Sequence, residues 1–173
     1  VLFALGLSHP SSAQLLNESN LLDQPSELLN LGTTRAGSEA YIQQSGNSNQ
    51  LRVMQQQENL EGNLARVLQT GNLNLAEILQ TEGGNKLALI QRGNSNYYEL
   101  VSYGADNELV NFQDGSNNKI SQQLINSNQI RSELVQIGSN NEIIQVLENI
   151  NSEGFIIRQL GDGLKVTVNR VGQ

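Results

Sequence analysis

From Asn63 the chain repeats an eleven-residue pattern of polar and apolar positions. Asn63, Asn74, Asn85, Asn96, Asn107 and Asn118 stand eleven apart, a recurrence far beyond chance for a residue that fills 23 of 173 positions. Two residues after each come Ala65, Ala76, Leu87, Tyr98, Leu109 and Ile120, all apolar. Four residues after come Val67, Ile78, Leu89 and Leu100, then Asn111 and Gln122. Six after come Gln69, Gln80, Gln91, Ser102, Gln113 and Leu124, and eight after come Gly71, Glu82, Gly93, Gly104, Gly115 and Asn126. The unit reads Asn-x-h-x-h-x-Gln-x-Gly-x-x, with h apolar.

The register continues beyond this stretch with slips. Upstream, Gly46, Asn49, Leu51, Val53 and Gln55 form one more unit, and Ala40, Ile42 and Gln44 a partial one. Three extra residues intervene around Gln57 to Gly62. One extra residue falls between Ile125 and Gly138, after which Gly138, Asn141, Ile143 and Gln145 resume the pattern. From Glu148 the register is ambiguous, although Leu164, Val166 and Val168 still alternate.

Positions two apart share one face of a strand, so Asn, both apolar residues and Gln face the same way. Gly and two variable residues then supply a tight turn where positive φ is needed. Seven residues of strand and four of turn make a half-coil. Two half-coils make a 22-residue rung, and stacked rungs predict an all-β solenoid with two facing parallel sheets, about twelve half-coils and roughly 29 Å tall. A helix is excluded, because apolar positions two apart do not make a 3.6-residue stripe. In this register Ala76 and Ile78 point inward, Leu75 and Glu77 outward. An inward amide standing alone would cost about 1–3 kcal/mol. Stacked on its equivalent about 4.8 Å away, it bonds along a ladder instead.

Asn and Gln together supply 42 residues, and aromatics only 4%. That composition also fits prion-like disorder, but disorder does not require phase, and the phase here is strict. The net charge of −7 argues against nucleic acid as a partner, because binding it needs a basic patch. With no cysteine there is no disulfide framework, thiolate metal site or cysteine nucleophile. No apolar run is long enough for a transmembrane helix.

Val1 to Leu7 is a short apolar run, and Ser11 and Ala13 fit positions −3 and −1 of a signal-peptidase site. Residues 1–13 are therefore read as the remainder of a signal peptide cleaved before Gln14, and the chain as secreted. An ordinary N-terminal strand or helix is the alternative.

Candidate chemistry is sparse. The one histidine, His9, lies in the signal region. There is no Gly-x-Ser-x-Gly, no phosphate-cradling loop and no His/Cys metal spacing. The reading is a non-enzyme without cofactor or metal. Calcium-binding nonapeptides are absent, and five Thr are too few for an ice-binding ladder. Asp114-Gly115 and Asp162-Gly163 read as turns.

Ala65 to Gly71, followed by Asn74-Leu-Ala76-Glu-Ile78-Leu-Gln80, resembles the curlin repeat in its Gly-x-x-Asn-x-Ala-x-Val-x-Gln form. The similarity covers about Ala40 to Gln145 and weakens beyond. The resemblance implies a subunit of curli, the extracellular functional amyloid of Gram-negative biofilms, polymerising edge to edge. It implies as partners further copies of itself, a companion subunit and an outer-membrane secretion machinery. The ladder residues it implies are Asn63, Asn74, Asn85, Asn96, Asn107, Asn118, Gln69, Gln80, Gln91 and Gln113, with Gly71, Gly93, Gly104 and Gly115 as turn glycines. Residues 14–37, which lack the repeat and carry seven leucines, become a flexible secretion address, against the alternative of a helix capping the first rung. The solenoid is then residues 38–173.

Ser102, Leu124, Glu82 and Asn126 depart from the pattern and imply irregular rungs. Major subunit and nucleator both stay open, as does a secreted adhesin on the same fold that does not polymerise. Leu68, Leu79, Ile90, Val101 and Phe112 also recur at eleven and are expected to point away from the core. They are read either as chance exposure of strand formers or as stripes for lateral bundling of filaments.

Overall fold

The computed structural model describes residues 37–56 and 61–172; residues 1–13 and most of 14–37 lie outside it. Twelve strands follow one another: β1 (Glu39–Asn47), β2 (Gln50–Gln55), β3 (Leu64–Asn72), β4 (Leu75–Gln80), β5 (Lys86–Asn94), β6 (Tyr97–Val101), β7 (Glu108–Ser116), β8 (Lys119–Ile120), β9 (Arg131–Ser139), β10 (Glu142–Gln145), β11 (Gly154–Leu160) and β12 (Lys165–Val168). Odd strands form one six-stranded parallel sheet and even strands the other, each in chain order. The protein is a two-sheet β-solenoid.

The spacing between stacked rungs shows where the repeat slips. Glu39 pairs with Leu64 across 25 residues, Leu64 with Lys86 and Lys86 with Glu108 across 22, and Glu108 with Arg131 and Arg131 with Gly154 across 23. The uniform 22-residue rung therefore holds for only two steps. The three-residue insertion falls in the predicted link before β3, and the single one before β9. The ambiguous C-terminal register resolves into β11 and β12, which continue the two sheets at 23-residue spacing.

The interior is the apolar layer the alternation predicts. Val67, Ala76, Ile78, Leu87, Leu89, Tyr98, Leu100 and Leu109 are buried between the sheets, while Leu75 is half-buried and Glu77 exposed. Fully burying one Leu or Ile contributes about 1.5–3 kcal/mol, so this layer is the main stabilising term. At both ends the inward residues are only half-covered: Leu51 and Val53 at one, Phe155, Ile157, Val166 and Val168 at the other.

The expected outward stripe is corrected on one sheet. Leu68, Ile90 and Phe112 do sit on the outer face of the odd-strand sheet, but they are buried, Ile90 at 2% exposure. They form a second apolar cluster with Ala88, Val110 and Val135. On the even-strand sheet Leu79 and Val101 are half-exposed.

Candidate functional site

The turn after each odd strand has one conformation. Ser48, Leu73, Ser95, Asn117 and Asn140 have φ between 55° and 60°, a left-handed step that turns the chain into the next strand. The residue that follows is Asn49, Asn74, Asn96, Asn118 or Asn141. Each Oδ1 accepts the backbone N–H of its counterpart one rung on: Asn74 N to Asn49 at 3.0 Å, Asn96 N to Asn74 at 3.1 Å, Asn118 N to Asn96 at 3.1 Å, Asn141 N to Asn118 at 3.1 Å. Each Nδ2 donates to the next rung's glycine carbonyl, as Asn74 does to Gly93 at 2.9 Å and Asn118 to Gly138 at 2.8 Å. The Gly-x-x-Asn spacing is therefore one device. The glycine opens its carbonyl to the amide below, and the asparagine bonds both ways along the stack.

Asn63, Asn85 and Asn107 build the opposite corner. Asn85 N donates to Asn63 Oδ1 at 3.0 Å, Asn107 N to Asn85 Oδ1 at 3.2 Å and Ile130 N to Asn107 Oδ1 at 3.0 Å. All six predicted asparagines are buried, in two columns of three.

The glutamines are more continuous. Gln44 Nε2 donates to Gln69 Oε1 at 2.6 Å, Gln69 to Gln91 at 2.7 Å, Gln91 to Gln113 at 2.9 Å, Gln113 to Gln136 at 3.0 Å and Gln136 to Gln159 at 2.8 Å. From Gln69 on, the other hydrogen of each Nε2 crosses to a backbone carbonyl of the facing sheet, including Gln159 to Glu142 O at 3.0 Å. Both hydrogens of the Gln69, Gln91, Gln113 and Gln136 amides are thus used. Gln136 and Gln159 escape the eleven-residue search because the inserted residues move them to 23-residue steps. Stepping by 23 from Gln113 finds both.

One predicted ladder glutamine and one predicted turn glycine lie elsewhere. Gln80 lies in the other sheet, where Gln55 Nε2 donates to its Oε1 at 2.8 Å. That column ends there, because Ser102, Leu124 and Leu147 follow. Gly71, Gly93 and Gly115 stack with Gly46, Gly138 and Gly161 in one column of positive φ, but Gly104 does not join it. It lies after an even strand, without positive φ, and a Cβ there would meet Ser127 O at 1.9 Å. Close approach, not turn conformation, requires glycine at 104.

The irregular rungs carry a polar network. Tyr98 hydroxyl donates to Gln122 Oε1 at 3.0 Å, Gln122 Nε2 to Asn111 Oδ1 at 3.0 Å, and Asn111 Nδ2 to Tyr98 Oη at 3.1 Å. The three close a buried ring, and burial pushes the Tyr98 phenol well above its ordinary range. Asn111 and Gln122, both polar residues at apolar positions, are what satisfies that hydroxyl. Gln145 occupies the second apolar position of its rung, and neither its Nε2 nor its Oε1 has a partner. Gln145→Leu is expected to stabilise the protein by about 1–2 kcal/mol. A higher urea midpoint with an unchanged slope checks it; a lower midpoint would show that the amide is bonded.

The ends of the stack are the remaining chemistry. Among the described residues β1 and β2 form one edge and β11 and β12 the other, and a sheet edge presents unpaired N–H and C=O groups. The ladder leaves complementary atoms there. Among the described residues Gln44 Oε1 receives no donor, and Gln159 Nε2 keeps one hydrogen beyond its bond to Glu142 O. The corner columns do not match in this way: Leu164 and Ile130 end them in apolar side chains.

Charge on the outer surface is paired across rungs. Glu142 lies 3.3 Å from Lys119 and 3.4 Å from Lys165, and the hydrogen bond from Lys119, then that from Lys165, holds its carboxyl below the usual range. Such exposed pairs are worth little. Among the described residues no acidic or histidine cluster is arranged to hold a metal, and no helix is long and apolar enough to cross a membrane. Comparison with known families, curated proteins and solved structures finds no match for the chain.

Proposed function

We propose that the chain is a structural subunit of an extracellular, curli-type amyloid fibre, growing by edge-to-edge stacking of solenoid rungs. It has no enzymatic role in this reading. It serves biofilm matrix and adhesion, beside a companion subunit and after export through an outer-membrane secretion machinery. The observation that carries the reading is the pair of complementary open ends. An incoming chain that sets its β1 and β2 against β11 and β12 gives the unpaired edges partners. It also covers Phe155, Ile157, Val166 and Val168, and offers Gln44 Oε1 to Gln159 Nε2.

Growth on an existing end adds a rung to a template, whereas starting a fibre orders a first rung without a stacked neighbour. Preformed seeds are therefore expected to abolish a lag phase. Fibre diffraction of the aged protein is expected to give reflections near about 4.7 Å and 10 Å. A chain that keeps its fold yet stays monomeric and dye-negative at high concentration would instead be a secreted adhesin that does not polymerise.

A further inference from the structure

The turn that closes β11 keeps the backbone of the other odd-strand turns and lacks their amide. Gly161 shares the positive φ of the glycine column, and Gly163, at φ +68°, stands where Ser48, Leu73, Ser95, Asn117 and Asn140 take the left-handed step. The backbone bonds to the preceding rung are intact, from Gly163 N to Ser139 O at 2.9 Å and from Glu142 N to Leu164 O at 2.8 Å. At the next position, however, Leu164 stands in line with Asn49, Asn74, Asn96, Asn118 and Asn141. Its N–H still donates to Asn141 Oδ1 at 2.9 Å, and Gly161 O still accepts Asn141 Nδ2 at 2.7 Å. Its own side chain, 40% exposed at the end of the stack, passes nothing on.

We propose that Leu164 is a joint: it leaves the contact beyond β11 and β12 one corner short, so that filaments divide there. The proposal rests on the fibre reading, in which the next rung is β1 and β2 of a second copy. Backbone pairing, the apolar layer and the glutamine ladder carry across that junction. The asparagine corner does not. Within the chain every contact of this corner joins an Oδ1 to a backbone N–H of the next rung. Each also joins an Nδ2 to a glycine carbonyl. Against Leu164 the incoming Asn49 N–H and Gly46 C=O find neither group. Backbone groups covered by a contact but left unpaired weaken that contact. The opposite corner has already lapsed at Ile130, so neither asparagine column crosses the junction.

The test compares Leu164→Asn, Leu164→Ser and Leu164→Ala with the unaltered full-length chain, each grown from its own seeds. The readouts are the soluble concentration left in equilibrium with fibres and the fibre length after a fixed dose of shear. Leu164→Asn is expected to lower the soluble concentration about tenfold and to lengthen the sheared fibres. Leu164→Ser restores the acceptor alone, as Ser38 Oγ serves Asn63 N at 3.1 Å, and is expected to lower it about threefold. Leu164→Ala supplies no polar group and is expected to lower it not at all. Equal concentrations for all four chains would overturn the joint while leaving fibre growth intact. So would an alanine effect as large as that of asparagine, which would trace the joint to the bulk of the leucine. Should Leu164→Asn fail to fold, serine against alanine decides, and equal values overturn the joint. An unaltered chain that forms no fibre overturns the fibre reading, and the joint with it.

Discussion

Replacing Gly93 with alanine is expected to cost the fold about 3 kcal/mol or more, far beyond the ordinary cost of losing a glycine. At φ +100° an L side chain is strained, and a Cβ built there meets Gly115 O at 2.0 Å and its carbonyl carbon at 2.9 Å. Nothing flexible stands in the way, only the backbone of the next rung. That rung cannot retreat, because strand spacing within a sheet stays near 4.8 Å. Moving it would also break the bond from Asn74 Nδ2 to Gly93 O at 2.9 Å and the one from Asn96 Nδ2 to Gly115 O at 3.1 Å. Gly163→Ala is the control. Its φ is +68° and nothing lies within 4 Å of the added methyl, so it is expected to cost only about 1–2 kcal/mol. Thermal unfolding followed by circular dichroism separates the two, with a shift of several degrees for Gly93→Ala. Equal shifts would mean that the left-handed backbone alone, and not the stacked column, requires glycine.

Period and side-chain direction were legible in the sequence because both are local. Ala76 and Ile78 face inward, and Leu75 and Glu77 outward, as alternation requires. Asn63 through Asn118 fall at ladder corners because a buried amide is tolerable only where its stacked copy answers it. What a single eleven-residue step could not resolve was which half of a rung each residue occupies. Gly93 and Gly104 share one phase, yet lie in opposite half-coils and are required for different reasons. Gln136 and Gln159 were hidden by one inserted residue per rung, which a turn absorbs without disturbing the sheets. Outer-face exposure was misread for another reason. Alternation tells which way Ile90 points, but its burial depends on something else reaching that face, and no periodicity encodes that. The Tyr98 ring stands between these cases. In the sequence Asn111 and Gln122 are only polar residues that follow four apolar ones in their series, and their use appears once Tyr98 is seen to need partners.

The same substitution at two heights of the glutamine ladder is expected to give two different losses. Gln91→Ala in the middle removes the acceptor of Gln69 Nε2 at 2.7 Å and the donors to Gln113 Oε1 at 2.9 Å and Leu75 O at 3.2 Å. Three buried groups are left unanswered and a cavity opens, for a total of about 3 kcal/mol. Its effect is on the fold, read as a lower denaturation midpoint. Gln159→Ala removes the acceptor of Gln136 Nε2 and the donor to Glu142 O, at the half-covered end of the stack. Its stability cost is expected to be smaller, about 1 kcal/mol. Under the fibre reading, however, its second amide hydrogen meets Gln44 Oε1 of the incoming chain, so seeded elongation is expected to slow about fivefold. Arg158→Ala is the comparison on the same strand: its side chain faces outward, pairs with Glu133 at 2.8 Å and is half exposed, so it is expected to change either measurement little. Elongation rates from matched seeds, normalised to the folded fraction of each variant, decide the matter. If Arg158→Ala slowed growth as much as Gln159→Ala, the amide at the end of the ladder would not be what receives the next subunit.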